Sequence, residues 1–177
     1  DGTPEGVEVF ADPRTGDVLA SLFPFAPNWA LPQVAVADVN GDGRADVIAL
    51  AQAGEGTEAK AFDVASGKQL ASFFVLEPGV VPGASLAAGD LDGDGNAEIV
   101  LGGGPTQTPW PPIVNGPDQR VAVYKSDGTL VGSFSAYPGV FQGGVRVAFG
   151  NVGSDGKDDI VTGPGPGMGP EVDVYAQ

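Results

Sequence analysis

Hydrophobic residues in this chain fall in short runs separated by polar, Gly-rich turns, and the runs recur in one order along nearly its whole length. Val7-Glu-Val9-Phe10 and Val121-Ala-Val123-Tyr124 have the length and β-rich character of strands. A turn follows each time: Pro13-Arg-Thr-Gly16, Ala65-Ser-Gly67, Ser126-Asp-Gly128. Then comes a second apolar run such as Leu70-Ala-Ser-Phe73-Phe74, so each pair predicts a hairpin. A further run leads into an acidic loop: Val34-Ala-Val36-Ala, Ser85-Leu86-Ala-Ala, Val145-Arg-Val147-Ala. Another leaves it: Val47-Ile-Ala-Leu50, Ile99-Val-Leu101, Ile160-Val161. No segment sustains an apolar stripe of period 3.6, so little or no helix is expected.

The loops are internal repeats: Asp38-Val-Asn40-Gly-Asp42-Gly43-Arg44-Ala-Asp46, Asp90-Leu-Asp92-Gly-Asp94-Gly95-Asn96-Ala-Glu98 and Asn151-Val-Gly153-Ser-Asp155-Gly156-Lys157-Asp-Asp159. Ser21-Leu-Phe23, Ser72-Phe-Phe74 and Ser133-Phe-Ser135 stand 17 or 18 residues before them. An aromatic residue recurs as Phe10, Phe62, Tyr124 and Tyr175. The chain therefore reads as one all-β segment, residues 1–177, with repeat units at about 6–56, 57–118 and 119–177. Four short strands per unit of roughly 50–60 residues predict blades of a β-propeller rather than a sandwich or barrel. Small residues suit strands crowded near the axis, and aromatics the wider space between blades. In order, the strands give the last two of one blade, two full blades and the first three of another: about three blades. Since a propeller closes with about four to eight, the expectation is a part of a longer propeller. Completion of a ring by several chains is the alternative.

Composition sharpens this. Gly (29) and Pro (16) are abundant enough to suggest disorder, but the repeat assigns them to turns and inner strands. The absence of Cys and His excludes disulfides, His/Cys zinc sites and Ser-His-Asp triads from the chain. No apolar run approaches the roughly 18 residues of a membrane helix, so no membrane insertion is expected. The chain starts at Asp1 with neither Met nor leader, as a mature form or an excerpt does. A net charge of −15 disfavours nucleic acid and suits cations or basic partners.

The charge is concentrated. Nine of the 23 acidic residues stand at alternating loop positions: Asp38, Asp42, Asp46, Asp90, Asp92, Asp94, Glu98, Asp155 and Asp159. Carboxylates this close repel unless a cation neutralises them. Hard oxygen ligands in this number suit Ca2+, with Gly43, Gly95 and Gly156 permitting the sharp turn. Loops of hydrogen-bonded Asp and Asn turns without metal are the competing reading. The opening resembles an EF-hand, yet position 12 is Ala49, Leu101 or Thr162 rather than Glu, and β-rich runs flank each loop.

These loops, with Leu101-Gly-Gly-Gly-Pro105 and Thr162-Gly-Pro-Gly-Pro166 after them, resemble the FG-GAP/VCBS repeat family of β-propellers, found also in integrin α chains. The resemblance covers about residues 6–177. It implies calcium bound between the first two strands of a blade. The first site takes Asp38, Asn40, Asp42, the Arg44 carbonyl and Asp46. The second takes Asp90, Asp92, Asp94, the Asn96 carbonyl and Glu98. The third, with Asn151, Asp155, the Lys157 carbonyl and Asp159, is weaker because Gly153 brings no side chain.

The expected function is a non-enzymatic, calcium-binding propeller module of a secreted or cell-surface protein, serving adhesion, interaction or assembly. Its partners are other blades, of the same or another chain, and a protein or glycan ligand. The alternatives are a structural subunit of an extracellular filament or surface layer, and a propeller lyase or hydrolase acting on polysaccharide. Trp110, in the Pro-rich stretch 105–117, is expected to pack over a blade edge, and Trp29 between blades.

Overall fold

Each predicted hairpin closes through a glycine that takes the left-handed backbone an L side chain disfavours. Gly16, Gly67 and Gly128 have φ of 73°, 70° and 87°. In the second turn the Asp63 side chain accepts from the Ala65 N–H and the Ser66 hydroxyl, and the Gly67 N–H donates to the Asp63 carbonyl. This is the local chemistry by which Asp stabilises a turn.

The computed structural model describes residues 6–12, 14–25, 33–53, 56–75, 83–105, 120–137 and 143–176. Trp29, Trp110 and most of the Pro-rich stretch lie outside these residues. The described residues contain thirteen strands and no helix. Strands β1 (Val7–Asp12) and β2 (Asp17–Leu22) pair alone. A four-stranded sheet follows, of β3 (Gln33–Ala37), β4 (Asp46–Ala53), β5 (Gly56–Phe62) and β6 (Gln69–Phe74). The next holds β7 (Ser85–Gly89), β8 (Glu98–Gly102), β9 (Arg120–Tyr124) and β10 (Leu130–Ser135). The last has three strands, β11 (Val145–Gly150), β12 (Asp159–Pro164) and β13 (Asp173–Tyr175). All pairings are antiparallel between chain neighbours. This is the two, four, four, three strand sequence read from the repeats. The sheets cut the chain half a repeat away from the units at 6–56, 57–118 and 119–177, each of which starts near the third strand of a blade.

Register makes the blades superimposable. Ala37 pairs with Asp46, Gly89 with Glu98 and Gly150 with Asp159. Each four-stranded sheet is apolar on both faces, which is why β8 is buried at every position instead of alternating. Ile99 and Leu101 pack towards the preceding sheet with Ile48, Leu50, Ala59 and Ala61. Val100 packs the other way with Val121, Val123 and Ile160. Val47 and Phe62 meet Leu22 on the other face of the first four-stranded sheet.

The seams between sheets repeat. The fourth-strand residue of one blade meets the third-strand aromatic of the next: Leu22 with Phe62, Phe73 with Tyr124, Phe134 with Tyr175. The two aromatic pairs stand 5.4 and 4.6 Å apart in tilted geometry, a favourable arrangement for ring quadrupoles. The inner strands are linked as well, because β3 packs on β7 and β7 on β11. The Gln33 side-chain amide donates to the Ala84 carbonyl, and at the equivalent position the Ser85 hydroxyl donates to Val145 O at 2.7 Å. The crowding predicted for inner strands is visible here. A Cβ on Gly102 would strike the Val145 carbonyl oxygen and come within 2.8 Å of Ser85 Oγ.

Gly102→Ala is therefore expected to cost about 1–3 kcal/mol of stability through overpacking. Gly132→Ala, which meets nothing within 4 Å, should be tolerated. Thermal melts of the two variants against the parent chain check this.

Candidate metal centre

Every acidic loop joins the first strand of a sheet to the second, so β3–β4, β7–β8 and β11–β12 each present one on the same rim. The loop folds around its first residue. Asp38 Oδ1 accepts from the N–H groups of Asn40, Gly41 and Asp42, and Oδ2 from Gly43. Burial pushes the Asp38 carboxyl up, but these four amides outweigh it and hold it below the usual range. Asp90 is gripped likewise by Gly93, Asp94 and Gly95. Gly41 and Gly93, at φ of 74° and 80°, permit the curl, and in the third loop Ser154 takes the same region at 60° without being glycine.

The ninth position anchors the loop to the blade. Asp46, Glu98 and Asp159 open the second strands, and all three are buried. Each accepts a backbone N–H from its own loop: Val39 to Asp46 at 3.1 Å, Leu91 to Glu98 at 3.0 Å, and Val152 and Gly153 to Asp159, both at 2.8 Å. Burial pushes the Glu98 carboxyl up against that hydrogen bond, and the charges of Asp92 and Asp94 push it further. Asp46 is raised in the same way, by burial first and then by Asp42, Asp38 and Asp63. Asp94 is instead held low by the Asn96 side-chain and backbone amides.

The three loops differ in how the acids meet. In the second, one carboxylate oxygen from each of Asp90, Asp92 and Glu98 lies within 4.8 Å of the others. This is the one such group of three acidic ligands among the described residues. Asp94 adjoins it, donating its N–H to Asp92 Oδ1 at 3.1 Å. In the first loop Asn40 stands where Asp92 does, and its amide reaches Asp46 Oδ1 at 3.4 Å, so a neutral donor partly answers the buried charge. Asn40 Oδ1 accepts from Asp42 N, and Asp42 Oδ1 from Arg44 N, which keeps the loop oxygens in sequence. In the third loop Asp155 accepts from Lys157 N, while Asn151 is exposed. A Cβ added to Gly153 would lie 3.6 Å from Asp159 Oδ2 and about as near Asp155, so the gap there has room for a side chain. Hard carboxylate oxygens converging on one point, one of them buried, fit a divalent cation of the calcium type.

One residue escaped the sequence reading. Asp158, beside Asp159, lies in the third loop but acts on the second. Its Oδ2 accepts the Asp90 N–H at 3.1 Å, and its own N–H donates to Asp90 O at 2.8 Å. The paired acids of Lys157-Asp-Asp159 were the available signal, but only the position of the neighbouring loop shows which acid faces across the seam.

Sheets of this order with loops on one rim define β-propeller blades. The FG-GAP repeat matches at residues 30–62 and 82–124, consistent with an FG-GAP β-propeller. Each matched stretch contains one acidic loop and the strands on either side. Among solved structures the chain resembles exotype rhamnogalacturonan lyase YesX, with a TM-score of 0.62 and 15% identity over 98% of this chain. It also resembles, with a TM-score of 0.49 and 17% identity over 96% of its length, the quinohemoprotein alcohol dehydrogenase ADHIIG from Pseudomonas putida HK5. The chain spans about a third of the length of either structure (33% and 31%), and at 15% identity its likeness to the lyase is one of fold. No curated protein matches.

The raised Glu98 carboxyl has a signed consequence. In metal-free protein its contribution to stability is present at acid pH, where it is protonated, and is lost as pH rises through its elevated pKa. Glu98→Gln cannot ionise and keeps an oxygen for the Leu91 N–H. In EDTA it is expected to melt above the parent at neutral pH, and the difference should close near pH 4. Melting curves across that range check it.

Proposed function

We propose that the chain is a calcium-binding, non-enzymatic propeller module of a secreted or cell-surface protein, used in adhesion, interaction or assembly. The observation that carries this is the convergence of Asp90, Asp92 and Glu98. Glu98 is 4% exposed and has two acids as neighbours, an arrangement that repels itself until a cation enters. Asp90, Asp92, Asp94, Glu98 and the Asn96 carbonyl hold the ion in the second loop. Asp38, Asn40, Asp42, Asp46 and the Arg44 carbonyl do so in the first. Asn151, Asp155, Asp159 and the Lys157 carbonyl form a weaker third site. The bound ion cancels charge and ties the loop to the buried end of the second strand. Extracellular calcium modules bind at roughly 10⁻⁴–10⁻³ M, which suits an extracellular setting.

The partners of the sheet faces are further blades. Val34 and Val36 on β3 are 52% and 63% exposed. Their register equivalents, Leu86 and Ala88 on β7 and Val147 and Phe149 on β11, pack against a neighbouring blade. The open face of β3 thus has the shape and chemistry of a blade interface. A protein or glycan ligand is proposed for the loops.

Two outcomes are expected. EDTA lowers the melting temperature and added calcium restores it, with at least two ions per chain by elemental analysis. An unchanged melt with no bound metal overturns the reading. Gly153→Asp, which supplies the missing third-position ligand, is expected to tighten calcium binding at the third loop by about tenfold in titration calorimetry.

A further inference from the structure

The seams between blades carry one hydrogen bond that repeats at the acidic loops. The Ala97 N–H donates to the Asp38 carbonyl at 2.7 Å, and the Asp158 N–H to the Asp90 carbonyl at 2.8 Å. In each case the acceptor is the first residue of one loop. The donor immediately precedes the buried ninth-position acid of the next, Glu98 or Asp159. Side chains of the next loop also approach these glycines: a Cβ on Gly41 would lie 2.8 Å from Asn96 Oδ1, and one on Gly93 would lie 3.5 Å from the Lys157 side chain. At the second seam Asp158 adds its carboxylate, which accepts the Asp90 N–H. Asp90 is therefore held at both its N–H and its carbonyl by a single residue of the neighbouring blade. Its own carboxylate meanwhile gathers the amides of Gly93, Asp94 and Gly95.

We propose that Asp158 is a positioning residue for the second-loop cation site, and that through it the third loop and the second bind cations as a coupled pair. The inference rests on the calcium reading above. A ligand whose backbone is fixed before the ion arrives loses less freedom on binding. An ion that orders residues 151–159 places the Asp158 amide and carboxylate against Asp90, so each loop lowers the ordering cost of the other. Linkage makes the effect reciprocal. The first seam, where Ala97 has no acceptor to offer, has only the backbone half of this clamp.

The test is calcium titration calorimetry of the whole chain, stripped with EDTA, comparing the parent with Asp158→Ala and Asp158→Asn. Asp158→Ala removes the acceptor and should weaken the second-loop site about fivefold. Asp158→Asn keeps a side-chain carbonyl for the Asp90 N–H and should restore most of that affinity. In an Asp90→Ala background, where the carboxylate that Asp158 positions is gone, Asp158→Ala should have no further effect on the second loop. Asp155→Ala, which removes a third-loop ligand without touching Asp158, should weaken the second-loop site as well. Equal loss in Asp158→Ala and Asp158→Asn overturns the clamp in favour of bulk charge. A lower metal-free melting temperature with unchanged affinity overturns it in favour of a structural role. An unaffected second loop in Asp155→Ala overturns the coupling. Calcium binding with no effect of Asp158→Ala sinks the inference alone, whereas a parent chain that takes up no calcium sinks the calcium reading with it.

Discussion

A four-stranded sheet with two apolar faces cannot bury itself, and everything else in this chain follows from that constraint. Ile48 and Leu50 point one way from β4 while Val47 and Ala49 point the other, and all four are buried. Each sheet therefore requires a neighbour on either side, and stability resides in the seams more than in the sheets. Deleting a large buried aliphatic such as Ile99 removes contact from a seam shared by two sheets, at a typical cost of about 2–5 kcal/mol.

The seams are periodic. Fourth-strand residues meet third-strand aromatics, inner strands are stitched by Gln33 and Ser85, and loops are joined through Asp38 and Asp90. Such an arrangement resembles a one-dimensional array, in which each unit interacts with its nearest neighbours. The acidic loops sit where adjacent blades converge. Neutralising them thus acts on the joints between repeats as well as within one repeat.

Much of this was legible in the sequence because it depends on period. Strand order, hairpin glycines and blade count follow from recurring runs, and Phe62, Tyr124 and Tyr175 occupy the seams as their spacing predicts. The acidic loops were visible for the same reason. What the sequence could not resolve depends on neighbours in space. It ranks Asp42 and Asp94 alongside Asp92, but only the fold brings Asp92 together with Asp90 and Glu98. It gives no reason to separate Asp158 from a solvated surface acid, since its partner is 68 residues away in another blade. It likewise does not distinguish Val36 from Ala88, which occupy the same register position; one is open and the other covered because of what lies beside them.

The placement of all three loops on one rim gives the molecule a polarised electrostatic field. A net charge of −15 spread evenly would repel anions from every side. Gathered along one edge, the nine loop carboxylates focus a negative potential there, draw in cations by long-range steering and orient any approaching basic surface before contact. That field is screened over about 8–10 Å at physiological ionic strength. Salt therefore controls how far the rim can reach into its surroundings, and the hairpin turn at Asp63, which stands at the same strand ends and acts on Asp46, shares that field.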